Sequence, residues 1–296
     1  MEIKVDNTTE LARDQGNGNS YEANFEFFPF HEGETYSLYK GVLNGECFAS
    51  DRHGERCVVR TLKKKSSNSY ADWDTFVQIA SNADELASQF HRETASMTLS
   101  FPRPLLTNVN QKSSFVGVFR TFNPHEKRLK INERVVIEPF VGRPFFQFHK
   151  QNEANNQQSK SHAEHCAVKG NKHKSTKKNS NCVSREQNIE EQSYPVEVLP
   201  TLAAFSHYTW HATKKFIVTN FQGSFNHVTS SLTLINPTIH SIDQRYGETD
   251  KGLAGIEDFF NNHECYTDLC STWCKYETPD PNGNFSEQVS SLNQPD

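Results

Sequence analysis

The chemically richest stretch of this chain runs from Tyr246 to Cys270. Gly247, Gly252 and Gly255 can turn backbone N–H groups toward an anion, and Asp250 stands among them. His263, Cys265 and Cys270 follow after a short apolar run, with the side chains and close spacing of a zinc site. Taken singly, each part has a plainer use: glycines make tight turns, and thiols fill cores. The order gives them weight, because a candidate phosphate loop leads directly into a candidate metal knot.

Several elements must hold that stretch in place. Trp73, Phe76, Val77, Ala80, Ala83, Leu86, Ala87 and Phe90 recur at three-and-four spacing, which predicts a helix over 72–90 with Asp72 as its N-cap. Val198–Tyr208 reads as a second helix. Strands are expected in the β-rich text from about 25 to 62, including Tyr36–Val42 and Cys57–Leu62, with turns at Asn44-Gly45 and His53-Gly54. Phe115–Phe122, Arg134–Phe140 and one continuous run from Lys215 to Phe221 read as further strands. Residues 1–20 and 275–296 are polar and read as loose tails. Between about 151 and 193, Asn, Gln, Ser, Lys and His dominate. That composition buries too little apolar surface to offset ordering, so a disordered insertion is expected there.

Composition bounds the rest. The chain has 296 residues, 34% of them hydrophobic, which suits one sizeable core with a polar insertion better than two complete domains. A formal charge of −5 gives no general reason to expect nucleic acid. No apolar run approaches a membrane span, and the first residues lack a secretory apolar region. Seven cysteines exclude a complete set of intrachain disulfides, so reduced thiols or metal ligands in a cytoplasmic setting are expected.

The segments then match a family in order. Pro29-Phe30-His31-Glu32-Gly33, Val58-Val59-Arg60, Val136-Ile137-Glu138-Pro139-Phe140, Ala204-Phe205-Ser206-His207, Asn220-Phe221-Gln222-Gly223 and Leu234-Ile235-Asn236-Pro237 through His240, followed by the glycine loop and the histidine–cysteine knot, resemble the alpha-kinases. These are atypical Ser/Thr protein kinases. The resemblance covers about 25 to 274. It implies an α+β, two-lobed fold with an N-lobe over about 21–133, a hinge over 134–142 and a zinc-stabilised C-lobe over 194–274. It also implies that Gly33, Arg60, Glu138, Gly247, Asp250, Gly252 and Gly255 line the nucleotide side, and that zinc is held by His207, His263, Cys265 and Cys270. The three-residue gap between Cys270 and Cys274 leaves the fourth ligand open between those two.

The departures bear on activity. The resemblance places the catalytic group at Asn220, Gln222 and Asn236, where the family keeps two aspartates and the glutamine. Its phosphate-binding lysine is Arg60 here, its expected arginine is Tyr36, and the stretch from Gln222 to Asn236 is longer. An amide has no negative charge for magnesium and cannot act as a carboxylate base. The expectation is a pseudokinase that keeps its zinc-stabilised fold, with possible ATP and Mg2+ binding, and that binds or regulates an unidentified protein partner. The alternatives are an active Ser/Thr kinase and a scaffold that binds no nucleotide.

Overall fold

In a computed structural model, the described residues are 7–33, 35–47, 50–63, 69–112, 129–142, 144–148, 194–265 and 269–276, side chains of 69–72 excepted. The expected strand over 115–122, the insertion over 151–193 and most of the C-terminal tail lie outside them; the helix expected over 72–90 begins at Ser69, so Asp72 lies inside it and is not its N-cap.

The N-terminal half is a β-barrel. Its strands are β1 (Asn7–Thr9), β2 (Ala12–Arg13), β3 (Ser20–Phe25), β4 (His31–Glu32), β5 (Tyr36–Gly45), β6 (Arg56–Leu62), β8 (Leu105–Gln111) and β9 (Arg134–Pro139); β7 (Thr98–Ser100) lies elsewhere. Pairings run from β1 through β8, β9, β6 and β5 to β3, and β3 pairs back to β1. The circuit therefore closes. Along β5, Ser37, Tyr39, Gly41 and Leu43 face inward and alternate with exposed or half-buried residues, as a period of two requires. Tyr21, Phe25, Tyr39, Leu43, Val59 and Ile137 meet in the interior, so the barrel is filled by side chains.

The polar start is thus not a loose tail. From Asn7 onward it supplies β1, which closes the barrel between β3 and β8, and β2, which pairs with β3 alone. Side chains satisfy the backbone there: Thr9 Oγ1 accepts from the Ala23 N–H at 2.9 Å, and Asn7 Nδ2 donates to the Glu26 carbonyl.

Helix α1 (Ser69–Thr94) spans both halves. Near its start, Trp73 Nε1 donates to the Arg134 carbonyl of the barrel. Toward its end, Ala83, Leu86, Ala87 and Phe90 enter a second, larger core. Helix α2 (Val198–Thr213) is buried along most of its length and stops at Lys214, whose left-handed backbone returns its N–H to Trp210. Around it lie β10 (Phe146–Phe148), β11 (Phe216–Thr219), β12 (Phe221–Asn226), β13 (Ser231–Ile235), β14 (Thr238–Ser241) and helix α3 (Leu253–Asn262). One sheet has the order β10-β12-β13-β7, and β11 pairs with β14 in another.

The run from Lys215 to Phe221 is two strands, not one. The chain turns sharply at Asn220, with φ of 59°, and leaves one sheet for the other. Gly223 marks the tightest approach in the hairpin that follows: a Cβ there would lie 1.9 Å from the Thr233 carbonyl oxygen.

Candidate active site and metal centre

Asn220 and Asn236 occupy equivalent kinks. Asn220 separates β11 from β12, and Asn236, with φ of 51°, separates β13 from β14. Asparagine and aspartate tolerate this left-handed backbone better than other non-glycine residues. Register brings the kinks together: Thr219 pairs with Thr238, and Gln222 pairs with Ile235. Asn220 Nδ2 also donates to Thr238 Oγ1 at 3.2 Å. The longer stretch from Gln222 to Asn236 is the β12–β13 hairpin, with Val228 exposed in the turn between its strands.

Asn236 faces the barrel. Its Oδ1 accepts from Arg60 Nη2 at 2.8 Å, while Arg60 Nε donates to Glu138 Oε2 at 2.7 Å. The guanidinium carbon lies 4.6 Å from the Tyr36 ring centroid and 4.9 Å from that of Phe76, both within cation–π range. Arg60 is only 7% exposed and Glu138 only 6%. Arg60 therefore points between the lobes and not to solvent, and Glu138 is a buried partner, not a solvated strand end. Spacing alone did not reveal Tyr36 and Phe76 as the flanking rings; their aromatic character beside a buried cation was the available signal.

The predicted residues do not all converge. Beside β9, a cavity of about 20 Å³ is lined by Phe76, Glu138, Asn236 and Pro237, among others. Asn220 instead borders a different cavity of about 510 Å³, with His240, Lys251, Asp258 and an apolar floor that includes Phe221 and Phe259. Gly33 forms the turn between β4 and β5, its N–H donating to the Tyr36 carbonyl.

The glycine loop is organised by Asp250. Its carboxylate accepts from Ser241 N–H at 2.8 Å, Ser241 Oγ at 2.5 Å, Gly252 N–H at 2.9 Å and Tyr246 N–H at 3.2 Å. Burial alone would raise its pKa, but the Ser241 hydroxyl and the backbone donors outweigh that and hold it below the usual range. Gly247 and Gly252 have positive φ, 85° and 64°. Gly255 serves another purpose: a Cβ there would meet the His240 ring at 2.4 Å, so the absent side chain lets α3 lie against β14.

His207, His263, Cys265 and Cys270 come together although α2 lies far from the others in sequence. One ligand atom from each falls within 4.8 Å of every other. His207 Nδ1 lies 3.2 Å from His263 Nε2 and 3.7 Å from Cys265 Sγ, and Cys270 Sγ lies 3.6 Å from His263 Nε2. A tetrahedron with zinc bond lengths has edges of about 3.3 Å between nitrogens and about 3.6 Å between nitrogen and sulfur. The donor set fits. The second nitrogen of His207 lies 3.2 Å from the Cys274 carbonyl, the outer support that fixes a ligating imidazole. Cys274 itself is exposed; its backbone, not its thiol, meets the cluster. Burial lowers the His207 pKa to about 4, against the Cys274 hydrogen bond, so the ring is neutral and able to ligate near pH 7.

The alpha-kinase family model matches residues 31–270. No curated protein sequence matches the chain. Among solved structures, an alpha kinase from Entamoeba histolytica superposes with a TM-score of 0.59 at 17% identity, covering 93% of this chain and 94% of that one. The inactive alpha-kinase domain of myosin heavy chain kinase A (D766A), in complex with ATP, gives 0.53 at 16%, covering 90% and 97%. The same domain in complex with ADP gives 0.53 at 16%, covering 90% and 95%. No described helix is long and apolar enough to cross a membrane. With most of its length matched by the family model and its fold shared with these kinases, the chain belongs to the alpha-kinase family.

Proposed function

We propose that this chain is a catalytically impaired alpha-kinase, a cytoplasmic pseudokinase whose zinc-held fold binds or regulates a protein partner. The carrying observation is the pair of amides, Asn220 and Asn236, at the two kinks. Phosphoryl transfer needs a divalent cation held against the phosphates and an acidic group that orients the attacking hydroxyl. Here the amides supply neutral oxygens only, and that of Asn236 already accepts from Arg60.

Three other acids already have partners. Glu138 pairs with Arg60, Asp250 is saturated by four donors, and Asp243 pairs with Arg245 at 3.2 Å. Loss of a metal carboxylate or a catalytic base costs orders of magnitude in rate. The complexes of myosin heavy chain kinase A with ATP and ADP support a remaining nucleotide site in this fold. His207, His263, Cys265 and Cys270 would hold zinc, which on binding cross-links α2 to the segment after α3.

One observation favours the second reading, an active kinase: Gln222 is retained one strand position from the Asn236 kink. Incubation with labelled ATP and a basic Ser/Thr peptide separates the two. Transfer at background supports impairment; robust transfer abolished by Gln222→Ala refutes it.

A further inference from the structure

Beside the hinge strand the cleft has room for about 20 Å³, the scale of a water molecule. Small-ligand pockets are typically about 300–1,000 Å³. Three of the residues that line this space, Phe76, Glu138 and Asn236, are also three of the four that grip Arg60. Tyr36 is the fourth.

We propose that Arg60 is an internal competitor for nucleotide: a latch that joins the lobes and must open before a nucleoside polyphosphate can enter. The proposal deepens the reading above, on which the location of the cleft rests. Its contacts come from four elements. Arg60 and Glu138 lie on β6 and β9 of the barrel, Tyr36 on β5, Phe76 on α1, and Asn236 at the β13–β14 kink. The guanidinium thus ties the barrel to the C-terminal half at a point where a ligand would have to part them.

Charge explains why the latch opposes a polyphosphate. Arg60 and Glu138 cancel one another, so the closed cleft presents no free cation from this pair. Nε and Nη2 of Arg60 are already spent on Glu138 and Asn236. Turning Arg60 toward phosphate would leave Glu138 as a buried carboxylate without its partner, beside incoming negative charge. A lysine in the same place would weaken the latch. Its ammonium is a point charge that cannot span carboxylate and amide as a planar fork while stacked between two rings.

The test is nucleotide affinity of the full chain, measured by calorimetry and by thermal shift with ATP and ADP, each with and without Mg2+. Wild type is compared with Arg60→Lys and with Glu138→Gln, which removes the charge that holds Arg60. At least one variant is expected to bind about tenfold more tightly than wild type, with a larger nucleotide-induced rise in melting temperature. Both are expected to melt lower than wild type without ligand. Should one fail to fold, the other carries the test. If every folded variant binds no more tightly than wild type, the latch is overturned. That result would leave the reading of impaired chemistry standing, because phosphoryl transfer is not measured here.

Discussion

Arg60 and Asn236, separated by 176 residues in sequence, are joined by a 2.8 Å hydrogen bond from guanidinium to amide oxygen. Through Glu138, the same guanidinium is bound to β9 at 2.7 Å. The position that the resemblance assigns to a phosphate-binding lysine is here the centre of a buried polar network.

Arg60→Ala therefore costs stability. It leaves Glu138 buried without a counter-charge, and losing one partner of such a pair costs about 3–5 kcal/mol. Denaturant unfolding of the purified variant measures this. A loss below about 1 kcal/mol would place the pair in the class of exposed ion pairs instead.

Metal content checks the histidine–cysteine cluster. About one zinc per chain is expected after purification without added metal. His207→Ala and Cys270→Ser should lose it, and a chelator should unfold the C-terminal half. Cys274→Ser should keep it, since only the Cys274 carbonyl reaches His207. Metal loss in the Cys274 variant would shift the ligand assignment.

Asp250 predicts a pH dependence. Its folded pKa lies below the unfolded value, so its contribution to stability is present above about pH 3.9 and is lost as pH falls through the lower folded value. Asp250→Asn removes acceptors for buried donors and should cost about 1–3 kcal/mol at pH 7. The gap from wild type should narrow in acid below about pH 4. A pH-independent difference in unfolding free energy would contradict this.

Periodic elements were the most legible parts of the sequence. The α1 face from Trp73 to Phe90, the alternation in β5 and the apolar α2 all follow from local spacing. His207 was reached only through family resemblance, because the other three ligand positions lie after α3. Closure of the barrel by Asn7–Thr9 was hidden for a physical reason. That strand is short and polar, and its pairing with β8 rests on contacts distant in sequence. The Asn220 kink was equally silent, since Lys215 to Phe221 reads as one β-prone run until the left-handed backbone is seen. Gly255 looked like part of an anion loop, but its bare Cα also answers to the His240 ring.

Manganese occupancy tests most directly the claim that this cleft lacks the anionic oxygens a metal–nucleotide requires. Electron paramagnetic titration of the zinc-loaded chain with Mn2+ and a non-hydrolysable ATP analogue is the measurement. The account predicts no protein-bound manganese in wild type and a gain when Asn220→Asp and Asn236→Asp are combined. One tightly held manganese per wild-type chain at about micromolar affinity, lost on Gln222→Ala, would contradict it.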